Sequence, residues 1–224
     1  FVPPLPGIDE VGYLTSDTVW NLRQLPRRLL VLGGGPIGCE LTQTFARLGA
    51  QVTQVERGAR IMPREDAEVS AMVAERFRTE GVRLLLEHQA KEFLIEHGEK
   101  ILVAEHAGSA VRIAFDVVLV ALGRIGNLSG YGLEELGIAG ERTVAINEFL
   151  QTRYPNIYAA GDVAGPFQFT HTAAHQAWYA SVNALFAPFR SFRADYSVIP
   201  WSTFVEPEVA RVGLNEQEAK ERGI

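Results

Sequence analysis

Gly33-Gly34-Gly35-Pro36-Ile37-Gly38 is the run in this chain best suited to holding a charged ligand. Its glycines have the spacing of a phosphate-binding turn. Gly33 permits a tight turn, Gly35 lets the backbone approach a pyrophosphate, and Gly38 lets a helix pack close to the preceding strand. Pro36 and Ile37 open the predicted helix, whose first amide groups and dipole both favour an anion. Glu56 follows Gly38 by 18 positions, at the end of the next predicted strand. A carboxylate there accepts hydrogen bonds from an adenosine ribose. It repels a 2′-phosphate by roughly a few kcal/mol at contact distance, which favours NAD over NADP. Arg57 and Arg60 oppose that preference, since either can turn toward a phosphate. Glu40 has two readings: a favourable acid near a helix start, or a contact with the nicotinamide end of the dinucleotide.

The elements that must position these residues are legible from hydrophobic period. Residues 28–32, Arg-Leu-Leu-Val-Leu, read as a buried parallel strand. A helix is predicted from Pro36 to Leu48, with Ile37, Leu41, Phe45 and Leu48 on one face. Gln51 to Glu56 gives the second strand, Asp66 to Thr79 a second helix, and Val82 to Leu86 a third strand. Short alternating stretches at 92–96, 100–105 and 110–115 predict an antiparallel meander, turning at His97-Gly98-Glu99 and Ala107-Gly108-Ser109. Val117 to Ala121 returns to the sheet. Residues 1–21, with Pro3, Pro4, Pro6 and Gly7, read as irregular. Val144-Ala145-Ile146 and Ile157-Tyr158-Ala159 are short strand candidates. His171 to Phe186 is a predicted helix, Pro188 to Tyr196 a linker, and strands resume near Ile199. Asn215 to Arg222 looks helical. The expected fold is α/β: a Rossmann-like doubly wound sheet with an inserted antiparallel meander.

Composition narrows the partners. Hydrophobic residues make up 47% and the formal net charge is −6. A packed core is therefore within reach, and nucleic acid is not an expected partner. No apolar run reaches the roughly 20 residues needed to span a bilayer, and a cytoplasmic address is the default expectation. Cys39 is the single cysteine, so the chain holds no redox-active pair. We read it as a small packing residue. His171 and His175 are four apart but lack a Cys or acidic third ligand nearby, so no metal site is expected.

Three further runs occur in order after the glycine turn: Ala121-Leu122-Gly123-Arg124, Tyr158-Ala159-Ala160-Gly161-Asp162-Val163, and Phe204-Val205-Glu206-Pro207-Glu208-Val209-Ala210. Together with Pro63-Arg64-Glu65-Asp66 and Pro155-Asn156-Ile157-Tyr158, the set resembles the pyridine nucleotide–disulfide oxidoreductases, closest to the mercuric reductase and dihydrolipoamide dehydrogenase branch. The resemblance implies NAD and FAD as cofactors and a homodimeric full-length protein. It implies that 1–21 is the tail of a first FAD segment, 22–144 an NAD(P)-binding domain, 145–195 a second FAD segment, and 196–224 the start of an α+β dimerisation domain. It gives Gly123 a place near the nicotinamide and Gly161-Asp162 a contact with the flavin ribitol. It also brings the backbone amides of Thr170, His171 and Ala173 to the flavin pyrimidine ring. The family's first FAD fingerprint, its cysteine pair and its His-Glu acid–base pair are not in these residues, and Gly126 stands where many relatives have Pro. The chain thus reads as an internal piece that binds a nicotinamide dinucleotide without turning over, with no catalytic residue of its own. Two other readings remain open: a nicotinamide-sensing module, and a flavin-dependent NADH oxidase or transhydrogenase relative without a redox disulfide. A truncated last segment is expected to leave Trp201, Phe204 and Val209 exposed.

Overall fold

A computed structural model describes residues 1–187 and 189–224; Pro188, in the expected linker, lies outside the described residues. The chain divides into two compact units, one of Phe1–Gly123 with Pro200–Ile224, the other Arg124–Ile199.

The first unit is built on a parallel sheet of β1 (Arg28–Leu32), β2 (Gln51–Val55), β3 (Arg83–Leu85) and β7 (Val117–Val120), in the order β3-β2-β1-β7. Leu30 and Leu32 of β1 join one core cluster, Leu29 and Val31 another. Both faces are covered, which is why this strand is apolar throughout instead of alternating. Helix α2 (Pro36–Arg47) links β1 to β2, and α3 (Ala67–Thr79) links β2 to β3. On one face, Leu41 and Phe45 of α2 pack beside Leu29, Val31 and Val52. On the other, Leu30, Leu32 and Val118 meet Phe93, Leu102, Ile113 and Phe115 of the inserted meander.

That meander comprises β4 (Gln89–Glu96), β5 (Glu99–His106) and β6 (Ser109–Phe115), paired in sequence order. Its turns are shorter than expected. His97-Gly98 and Ala107-Gly108 all adopt positive φ, from 48° to 82°. This is the twist-matched two-residue hairpin turn, so Glu99 and Ser109 already belong to strands. The first residues are less irregular than their prolines suggest. A short helix α1 (Ile8–Val11) buries Ile8 and Val11 against the meander, and Leu14 bridges Leu119, extending the sheet beyond β7.

The segment after residue 199 corrects one expectation. Strands β8 (Trp201–Thr203) and β9 (Val209–Arg211) form a hairpin, and α5 (Glu216–Glu221) follows. Phe204 is exposed, but Val209 is buried and Trp201 half-buried. Val205 and Val209 share a cluster with Cys39, Ile61, Met62 and Val73. Trp201 donates its indole N–H to Glu65 (2.9 Å) and lies under the Arg211 guanidinium (4.2 Å). The segment thus buries Val205 and Val209 against α2 and α3 while Phe204 stays exposed.

The second unit has one long helix, α4 (Thr170–Phe186). The strands expected at 144–146 and 157–159 do not form. Each region makes a single isolated bridge, Ala139 to Val144 and Gln151 to Tyr158. The Asn147 side chain accepts from the amides of Phe149 and Gln151 (2.9 and 3.0 Å), a local turn that competes with a ladder. Buried amides hold this unit together. Asn183, fully buried, donates to the carbonyls of Phe149 and Phe192 and accepts from the Phe192 amide.

Candidate dinucleotide site and flavin-side turn

The glycine turn sits at the carboxyl end of β1, where open α/β sheets bind ligands. Gly33 has φ +110°, and a Cβ added there would lie 2.4 Å from the Ala121 carbonyl oxygen. A Cβ on Gly38 would lie 2.3 Å from the Gly33 carbonyl oxygen, so this close helix–strand approach requires glycine. Gly35 differs. It is extended backbone at the N-cap of α2, and an added Cβ would meet nothing within 4 Å. No side chain caps α2, so its first-turn amides are available to an anion.

The backbone groups of Gly33 and Gly34 are occupied from within. The Gly33 amide donates to Val55 O (2.9 Å), and the Gly34 carbonyl accepts from the Met62 amide (2.6 Å). Glu56 is held by two amides: Gly34 N–H donates to Oε2 (2.6 Å) and Gly58 N–H to Oε1 (2.7 Å). Its carboxylate is fixed at the edge of the turn, with a further lone pair on each oxygen. Arg57 is exposed. Arg60 donates to the Pro63 carbonyl (3.0 Å) in its own loop.

Cys39 lies buried beneath the turn, its thiol 3.4 Å from the Gly34 carbonyl. Burial pushes its pKa up to about 12, so it stays a thiol, as a packing residue should. Glu40 is the fifth residue of α2, beyond the first turn, and its Oε1 accepts the Phe204 amide (2.9 Å). Gln43, one turn on, makes a reciprocal pair with Glu206: its amide donates to Glu206 O (2.9 Å) and its Oε1 accepts from Glu206 N (2.7 Å). Gly123, at φ +105°, is exposed with open space around it.

In the second unit, Gly161 takes φ +84° and leads to Asp162, whose side chain is half-exposed. Arg124 lies 3.9 Å from that carboxylate and also donates to the Gln168 carbonyl. Among the described residues no side chain caps the start of α4, and of the amides around Thr170, His171 and Ala173 the last already donates to the Phe169 carbonyl (2.9 Å). Gln176 braces the turn: its Oε1 accepts from the Gly161 amide (2.6 Å), and its Nε2 donates to Gly165 O (2.5 Å) and the Tyr196 hydroxyl (2.9 Å). His171 stacks on Phe169, while His175 donates from Nε2 to Asp195 O (2.8 Å). Among the described residues, no three His, Cys, Asp or Glu side chains gather as a metal-holding group.

Gln43, Gln54 and Gln176 were not singled out from the sequence. The readable signal was an amide side chain at a position whose period faces the core, where burial costs about 1–3 kcal/mol unless hydrogen bonds replace water.

Comparison with known proteins places the site in context. Residues 1–177 match the family model described as pyridine nucleotide-disulphide oxidoreductase. A mercuric reductase of Streptomyces lividans is 40% identical over 99% of this chain and 47% of its own length. A dihydrolipoyl dehydrogenase of Chlamydia pneumoniae is 34% identical over 99% and 47%. The HOCl-induced flavoprotein disulfide reductase RclA from Escherichia coli superposes with a TM-score of 0.87 at 33% identity, covering 99% of this chain and 50% of that one. The chain therefore belongs to the pyridine nucleotide–disulphide oxidoreductases, a family whose members use FAD and NAD(P)H. It spans about half the length of the curated relatives it matches.

Proposed function

We propose that this chain is the NAD(P)H-binding portion of an FAD-dependent pyridine nucleotide–disulfide oxidoreductase, with NAD(H) preferred. The observation that carries the reading is the Glu56 carboxylate, clamped by the Gly34 and Gly58 amides beside the uncapped start of α2. Gly35, where the backbone is open, and the amides that follow Pro36 and Ile37 would hold the diphosphate bridge. Glu56 accepts the 2′- and 3′-hydroxyls of the adenosine ribose. Because two amides fix it, it cannot swing aside for a 2′-phosphate. Arg57 is the cation left to favour NADP. The reactive ring, when bound, supplies a hydride for transfer to the flavin. Glu40 and Gly123 bound the nicotinamide end, and Asp162 with the amides around Thr170, His171 and Ala173 supplies part of the flavin site. The Gln176-braced turn at Gly161-Asp162 favours a flavoprotein over a module that senses nicotinamide alone. In the full-length protein the reading includes a homodimer.

Calorimetric titration tests this directly. NADH should bind at least tenfold more tightly than NADPH, and Glu56→Ala should narrow that gap mainly by weakening NADH. The chain alone should not sustain NADH oxidation. Tighter NADPH binding refutes the cofactor preference, and absence of heat with both dinucleotides refutes the reading as a whole.

A further inference from the structure

Gln54 is an amide at a strand position between Thr53 and Val55, and it is fully buried. Its Nε2 donates to the Gly33 carbonyl (2.9 Å) and lies 3.7 Å from Cys39 Sγ, which in turn donates to the Gly34 carbonyl. Among the described residues its Oε1 has no hydrogen-bond partner. The orientation of the amide is fixed by chemistry: reversing it would set two carbonyl oxygens against each other at Gly33. An amide retained here at the expense of an unpaired oxygen must hold something, and what it holds is the carbonyl at the head of the glycine turn.

We infer that Gln54 is a positioning residue for dinucleotide binding: by donating to Gly33 O it locks the Gly33–Gly34 peptide so that the Gly34 amide clamps Glu56 and Gly35 faces the diphosphate. The same peptide carries both bonds. Its oxygen accepts from Gln54 and its N–H donates to Glu56, so rotating it away from one partner removes the other. Glycines at both ends make that rotation easy, and a buried donor opposes it. The inference rests on the dinucleotide reading above and adds to it a residue that touches no ligand.

The test uses the whole chain and three variants. Gln54→Met keeps length and removes the donor. Gln54→Glu keeps shape and donates only when protonated. Phe93→Leu lowers stability through the meander side of the same unit, in a cluster that holds no residue of the glycine turn. NADH and ADP-ribose affinities are measured by calorimetry beside thermal unfolding. Gln54→Met is expected to weaken both ligands by about tenfold, the equivalent of one hydrogen bond, while Phe93→Leu lowers Tm and leaves affinity unchanged. Gln54→Glu is expected to bind several-fold more tightly at pH 5.5 than at pH 8 relative to the unaltered chain. That normalisation removes any contribution from Glu40 and Glu56, the acids grouped around Cys39. A Gln54→Met affinity within twofold of the unaltered chain overturns the inference and leaves the dinucleotide reading standing. Loss of binding by the unaltered chain removes both. If Gln54→Met does not fold, Gln54→Leu, which also removes the donor, takes its place, and an affinity within twofold of the unaltered chain is again the overturning result.

Discussion

Replacing Gly35 by Ala separates ligand binding from folding. The residue has φ −75° and ψ 177°, a conformation any amino acid adopts, and beyond its immediate chain neighbours the new methyl meets no described atom within 4 Å. Stiffening the unfolded chain favours the variant by about 0.4–1 kcal/mol. Ala is a poorer N-cap than Gly by a comparable amount. The two nearly cancel, so Tm should move by about 2 °C or less, given roughly 2–4 °C per kcal/mol for a unit of this size. Binding is another matter. The methyl occupies the space through which a diphosphate reaches the first amides of α2. Charge-assisted hydrogen bonds contribute about 1.5–3 kcal/mol each, so displacing one should weaken NADH by about 10- to 100-fold. Calorimetry and thermal unfolding on one preparation give both quantities. Gly38→Ala is the contrasting case: its methyl would lie 2.3 Å from the Gly33 carbonyl oxygen, and overpacking costs about 1–3 kcal/mol, so Tm should fall visibly. A Gly35→Ala chain that binds NADH like the unaltered one would refute the claim that a ligand approaches this backbone.

Two further outcomes follow from the charges and the thiol. Glu80 is held below the usual carboxylate range chiefly by its hydrogen bond with Arg47, with Arg76 adding attraction. A lowered folded pKa contributes stability that is present above the ordinary Glu pKa of about 4.3 and is lost as pH falls through the folded value. Glu80→Gln should therefore lower Tm at pH 7, with the difference from the unaltered chain closing as pH falls below the ordinary carboxylate range; a difference independent of pH would count against the pairing. Cys39 should resist a thiol reagent at pH 8 in the folded chain and react fully in denaturant. Fast labelling of the native protein would show that the cluster around it opens.

The central elements were legible because their signals are local and redundant. β1, α2 and β2 each combine a clear hydrophobic period with a glycine or a turn at the boundary, and Gly33, Gly35, Gly38 and Glu56 fall where that pattern puts them. The site residues without such a pattern were not legible. Gln54 and Gln176 act through carbonyls and amides that only the folded chain brings near. Glu40 illustrates the same limit: nothing in α2 announces that its carboxylate meets the amide of Phe204, 164 positions away. The short strands expected near 144–146 and 157–159 failed for a related reason. Apolar alternation states that a segment can pair, while pairing needs a neighbour, and each region finds one bridge only.

The joining of residues 204–206 to α2 has a consequence for synthesis. Glu40, Gln43 and Arg47 find their partners in Phe204 and Glu206, which leave the ribosome long after α2 itself. During that interval the cluster around Cys39 lacks Val205 and Val209. The nascent chain must carry a half-finished flank through the making of the entire second unit, and the late arrival of a few residues closes it. Anyone cutting the gene into pieces should accordingly keep 200–224 with 1–123, however distant the numbers look.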